Sequence, residues 1–130
     1  MFRNALLEEL AIMFGESISE TFDTQNNTNE SIYINYAPVQ VKVNDDAKIT
    51  FVVPFDLTIY ADRNDFCFGY LSTKFSMYKP NAGQRRIVAI DDYETPFWNG
   101  DQVLGITKAF NYQYDEDFNR QIEKLKKVDF

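Results

Sequence analysis

The sequence contains no histidine and a single cysteine, Cys67, in 130 residues. Without histidine there is no general base of the commonest kind, and no Ser–His or Cys–His nucleophile pair. One cysteine excludes an intrachain disulfide, and the two shortages together exclude a Cys/His zinc centre. Cys67 stands between Phe66 and Phe68, where the simplest expectation is a small buried residue on a strand face. Glycine is sparse. The five present fit neither GxGxxG nor GxxxxGKS/T, so no loop is built to cradle phosphates. No apolar run approaches the ~20 residues that span a bilayer. Glu8 and Glu9 interrupt the first apolar stretch, unlike a signal peptide, so the expectation is an intracellular product. In that setting the acceptor-like triplets Asn26-Asn27-Thr28 and Asn29-Glu30-Ser31 are fortuitous.

Positive charge is also short. Thirteen Lys and Arg stand against 20 Asp and Glu, a net charge of -7. Phosphate backbones and anionic membranes are held by clustered basic residues, so neither nucleic acid nor membrane is the expected partner. The length suits one domain, residues 1–130, with enough chain for a single core.

What the chain has in abundance is aromatic residues, Phe 12, Tyr 8 and Trp 1. These suit sheets and interfaces, where each ring buries a large area. The clearest pattern runs from Lys48 to Tyr60. Ile49, Phe51, Val53, Phe55, Leu57 and Ile59 share one parity, and Lys48, Thr50, Asp56 and Thr58 the other. Successive strand side chains point to opposite faces, so this is a long strand with one face on a core. Pro54 lacks a backbone donor, which predicts a bend or a sheet edge there. Upstream, Val39 to Val43 alternates and Asn44-Asp45-Asp46 has turn chemistry, so residues 39–60 read as a hairpin. Residues 31–36 give another strand.

Phe2, Leu6, Leu7, Leu10, Met13 and Phe14 recur at helical spacing, and Gly15 is a plausible stop. The expectation is a helix over 2–14 lying on a sheet face, or docked on a neighbouring subunit. Residues 16–30 read as a flexible polar loop. Residues 66–78 alternate with a change of parity near Gly69, which predicts a bulged strand; a short helix is the alternative. Strands over 85–91 and 103–114 follow, separated by an extended loop over 91–101. Lys108 interrupts the apolar face of the last strand, as if the strand left the core there. Asp115 to Lys127 reads as a helix, acidic at its start and basic at its end, with a stripe of Phe118, Ile122 and Leu125. The fold class is therefore α+β, a mainly antiparallel sheet of about six strands, as a barrel or sandwich, with an N-terminal and a C-terminal helix.

The acidic clusters Asp45-Asp46, Asp91-Asp92 and Asp115-Glu116-Asp117 carry oxygen ligands but not EF-hand spacing, so they read as solvated or capping groups. No catalytic, metal or cofactor residue is assigned and no cofactor is expected. The candidate residues are instead those of a protein interface. Phe97 and Trp98 stand in the turn-rich run Thr95-Pro-Phe-Trp-Asn-Gly100, a composition suited to binding anchors, with Trp98 folded back over the core edge as the plainer reading. Arg85 and Arg86 are the one pair of adjacent arginines, and Phe118, Ile122 and Leu125 form the C-terminal stripe.

The outline resembles small structural proteins of tailed bacteriophages, of the tail-terminator and head–tail connector type. It rests on the helix beginning Met-Phe-Arg-Asn-Ala-Leu-Leu-Glu-Glu-Leu, the polar loop, long strands such as Val52 to Ala61, and a compact, acidic, histidine-free chain. The resemblance implies a homo-oligomeric ring that joins virion parts without catalysis. Its partners would be further copies of itself and other virion proteins, and its location the virion, after synthesis in the bacterial host cytoplasm. Tail terminators usually place a helix between the central strands, and the strand-like run at 66–78 departs from that. A second reading is an acidic inhibitor or DNA mimic acting on a host nucleic-acid enzyme. A third is an enzyme using carboxylates or a metal.

Overall fold

Two long strands, β4 (Lys48–Tyr60) and β7 (Gln102–Asp117), pair antiparallel from end to end and set the frame. The computed structural model describes residues 2–20, 30–44, 48–78 and 85–117. On one side, β4 carries two short strands in tandem, β2 (Ile32–Tyr36) against its second half and β3 (Gln40–Val43) against its first. On the other side, β7 carries β6 (Thr95–Asn99) and then β5 (Arg85–Ala89). β1 (Ile18–Ser19) adds a parallel pair at the outer side of β2. The chain is α+β, and its described residues form one open, mixed sheet of seven strands rather than a barrel or sandwich. β1 and β6 are additional to the expected set; they arise in the segments read as the polar loop and the extended loop.

The alternation in β4 sets which face meets the core. Val53, Phe55, Leu57 and Ile59 are buried, opposite Tyr112, Phe110, Lys108 and Ile106 of β7. Helix α1 (Phe2–Phe14) lays Leu6, Leu10 and Phe14 on that face, as its spacing predicts. Each such side chain contributes about 1.5–3 kcal/mol by leaving water. Gly15 ends the helix in the left-handed region, φ 71, its N–H donating to Ala11 O at 2.8 Å.

Residues 70–76 form helix α2 (Tyr70–Ser76), so the alternative for 66–78 holds and the bulged strand does not. Leu71 and Phe75 carry its inner face, and the Phe75 ring centroid lies 4.2 Å from that of Phe110. Cys67 sits exposed in the turn before this helix, not buried on a strand.

Three other expectations change. Pro54 lies in a central strand. The Ala37 N–H donates to Pro54 O at 2.8 Å, so the donor that proline lacks would have pointed at the junction where β2 ends and β3 begins. Lys108 does not leave the core; it is buried within it. Asp115–Asp117 complete β7 instead of starting a helix; the rest of the expected C-terminal helix, with Phe118, Ile122 and Leu125, lies outside the described residues.

A buried arginine ties the end of β4 to the N-terminal segment. The Arg63 guanidinium makes paired hydrogen bonds to Glu16 (2.7 and 2.8 Å) and Asp65 (both 2.8 Å), and a further one to Glu30 O (2.6 Å). The planar five-donor fork suits this use.

Candidate functional site

The outer side of β7 positions the candidate site. β6 covers residues 102–107 and β5 covers 110–114, so residues 90–94 must leave the sheet between them. Three contacts hold this excursion. The Ile90 N–H donates to Ala109 O at 3.0 Å. Asp91 O accepts from the Lys108 ammonium at 2.8 Å, which is why a lysine stands on the core face: its head reaches the chain that crosses the gap, and it lies 5.9 Å from the Phe110 ring centroid. Glu94 then reaches to α2, where its carboxylate accepts from the N–H groups of Gly69, Leu71 (2.9 Å) and Ser72 (3.2 Å). The first N–H groups of a helix have no partner within it and carry partial positive charge, so a carboxylate fits. Gly69, at φ 89, offers no side-chain cap, and Glu94 supplies one from a distance.

The fixed excursion and its flanking strands display apolar side chains. Tyr93 is 81% exposed and Trp98 58%, with Val88 and Ile90 also open to solvent. Trp98 follows a bulge between Phe97 and Trp98, and it does not fold back over the core. Arg85 is exposed at the start of β5. Asp91, Asp92 and Asp101 are exposed along the same edge. Trp, Tyr and Arg are the residues that dominate protein interfaces, because they bury area with few rotors and retain a polar tip.

Four of the seven residues singled out in the sequence lie along the same side of β7, Phe97 and Trp98 opposite Gly105 and Val103, and Arg85 and Arg86 opposite Tyr114 and Gln113 at the other end. Phe97 is half-buried. Its ring covers Gly105 and meets Tyr60 edge-on at 5.4 Å, and Tyr60 meets Tyr33 at 5.8 Å. Arg86 bonds Gln113 (3.1 Å) and Asp115 (3.4 Å). Trp98 is exposed, whereas Arg85, although exposed, bonds the buried Tyr112 hydroxyl. Sequence reasoning missed Tyr93 and Ile90, which display the surface, and Glu94 and Lys108, which position it. The interruption of an apolar face by Lys108 was the available signal.

The opposite face of the sheet carries short polar residues and no helix among the described residues. Thr50 donates to Asp115 at 2.8 Å and accepts from Asn44 at 2.8 Å. Burial pushes the Asp115 carboxyl up, but the hydrogen bonds from Thr50 and Arg86 outweigh it and hold it below the usual range. Asp56 has no such support, and burial raises it. A cavity of about 240 Å³ lies at the β2–β4 side, lined by Glu20, Tyr33, Ile34, Asn35, Thr58 and Tyr60. Nearby, burial and then Glu20 push the Tyr36 hydroxyl up to about 12. Among the described residues no group of three or more Cys, Asp or Glu is placed to hold a metal ion, and no helix is long and apolar enough to cross a membrane. No protein-family model matches the chain, and no curated protein matches it.

Proposed function

We propose that this chain is a non-catalytic virion structural protein of the tail-completion or head–tail connector type, which builds a homo-oligomeric ring and contacts other virion proteins. The observation that carries the reading is the β5–β6 flank: an edge along β7 that exposes Tyr93, Trp98, Ile90 and Val88, with Arg85 at its far end. In a ring, such a flank meets a different surface of the next copy. The outline also supports it, since α2 stands between the central strands β4 and β7, where the resembled proteins carry a helix.

Trp98 is the one tryptophan, so its fluorescence reports on the flank directly. The expected result is an emission shift to the blue as assembly rises with concentration, and loss of assembly in Trp98→Glu, followed by light scattering. A single-chain mass at all concentrations, with virion partners present, would overturn the proposal.

A further inference from the structure

β3 is an edge of the sheet whose protection is Lys42 and its shortness. Edge strands are ordinarily blunted by charge, proline, a bulge or extreme shortness. β5 carries Arg85 and Arg86, β6 carries Pro96 and faces a bulge, and β1 is only Ile18–Ser19. β3 reads Gln-Val-Lys-Val, pairs with β4 alone among the described residues, and is exposed at every position. One hydrogen bond fixes its backbone phase: the Asn44 N–H donates to Lys48 O at 2.8 Å. Antiparallel pairs alternate between hydrogen-bonded and non-hydrogen-bonded. Residues 44, 42 and 40 therefore turn their N–H and C=O groups to β4. Val43 and Val41 turn theirs away from the sheet, and Val39, Val41 and Val43 all have exposed side chains.

We propose that β3 is a docking edge for β3 of a second copy of this chain, antiparallel and centred on Val41. In that register Val41 faces the partner's Val41, Val39 faces the partner's Val43, and Gln40 faces the partner's Lys42. Three requirements are met together. Outward backbone groups meet outward backbone groups, every valine meets a valine, and each lysine meets an amide. A one-residue slip sets outward groups against inward ones. A two-residue slip one way opposes Lys42 to the partner's Lys42, and like charges directly opposite destabilise a pair. The slip the other way leaves Val43 against the partner's Ala37. Val41 and Val43 lie beside Phe51 and Ile49 of β4, so the joined valines continue into the Phe51–Tyr114 stack, 4.9 Å between centroids.

This contact is two-fold and uses a different edge from the ring flank, so it stands without the ring; with it, two rings are held face to face. Light scattering of the full chain over a concentration series tests it. An even number of chains is expected for the wild type, each of 15.2 kDa, and half that number for Val41→Pro, with unchanged far-UV circular dichroism. Proline is tolerated here because the Val41 N–H makes no bond to β4. Cross-linking tests the register, in a Cys67→Ser background because Cys67 is exposed. Val41→Cys forms an intermolecular disulfide under mild oxidation, since hydrogen-bonded partners stand about 5.5 Å apart at Cα. Val43→Cys does not, its counterpart being roughly 14 Å away. A wild type of single-chain mass throughout, an assembly unaffected by Val41→Pro, or equal cross-linking at both positions overturns the pairing. Assembly that is lost in Val41→Pro and indifferent to Trp98→Glu keeps the pairing and sinks the flank.

Discussion

At the Tyr60 end of the β4–β7 ladder, every core-face side chain of β4 from Val53 onward is buried, and Arg63 and Glu94 fasten the connecting segments to one another. At the Lys48 end of the same two strands, Ile49 is buried but Phe51 and Tyr114 are only half-buried, and Val41 and Val43 of the neighbouring β3 are exposed. The hydrogen-bonded ladder is continuous through both ends, so backbone pairing does not distinguish them. What differs among the described residues is cover: α1 and α2 pack on one end, and no described helix packs on the other. Cover fixes the shape of the molecule, and the uncovered end is where association can add burial.

The largest effect that sharpens this contrast comes from truncating matched aromatics. Phe110 is fully buried between Phe55 and Phe75, and Phe110→Ala is expected to cost about 3–5 kcal/mol, transfer and cavity together. Phe51→Ala, at the open end, is expected to cost roughly 1–2 kcal/mol, because a half-buried ring loses less transfer energy. Urea unfolding at low protein concentration measures both. Equal losses would mean that the open end is a core in its own right.

Gly105 gives the next effect. A Cβ there would lie 2.3 Å from Ile59 O and 2.6 Å from Phe97 Cζ. The ring can swing aside, but the carbonyl belongs to the central ladder. Gly105→Ala is therefore expected to cost roughly 3 kcal/mol in urea unfolding. It should also detach Phe97 from Tyr60, so Trp98, next in the chain, reports the change in its fluorescence.

Much of this arrangement was legible in the residues, and the failures have physical causes. The period of two in β4 and of 3.6 in α1 survive because each element packs its full apolar face, and the bounds of both agree with the pattern. Helix α2 was obscured because its seven residues are too few to establish a period, and its aromatics suit strands equally well. Its N-terminal partner is Glu94, 25 residues after Gly69 and invisible to any local capping rule. Pro54 suggested an edge because sequence shows that a donor is missing, not which way it would have pointed. At the candidate site, Trp98 and Arg85 were visible as residue types, whereas the display of Tyr93 depends on where β5 and β6 leave a gap along β7.

Glu94 links the two halves of that account. Glu94→Gln keeps the shape but removes the charge at the α2 N-terminus, and a loss of about 1 kcal/mol is expected. If the excursion is held as described, hydrogen exchange at Leu71 and Ser72 should rise and that in β3 should not. Faster exchange in β3 as well would show that the two ends unfold as one unit.

The smallest effects are in pH dependence, and the two carboxylates of the open face should move in opposite directions. Asp115 is held below its ordinary value of 3.8, so its contribution to stability is present above that value and is lost as pH falls through the lower, folded one. Asp56 is raised above 3.8 by burial, beside Asn35 and Ala109 in register. Its ionisation opposes folding at neutral pH, and the penalty fades as pH falls through the folded value towards 3.8. Asp56→Asn is therefore expected to raise the urea midpoint at about pH 7 and to remove a gain on mild acidification. Asp115→Asn is expected to lower the midpoint at about pH 7, with the deficit fading as pH falls through the lowered folded value. Because Asp115 bridges Thr50 of β4 and Arg86 of β5, its loss should loosen the open end selectively. Assembly through β3 should then weaken with it, while the Arg63 end keeps its hydrogen-exchange protection.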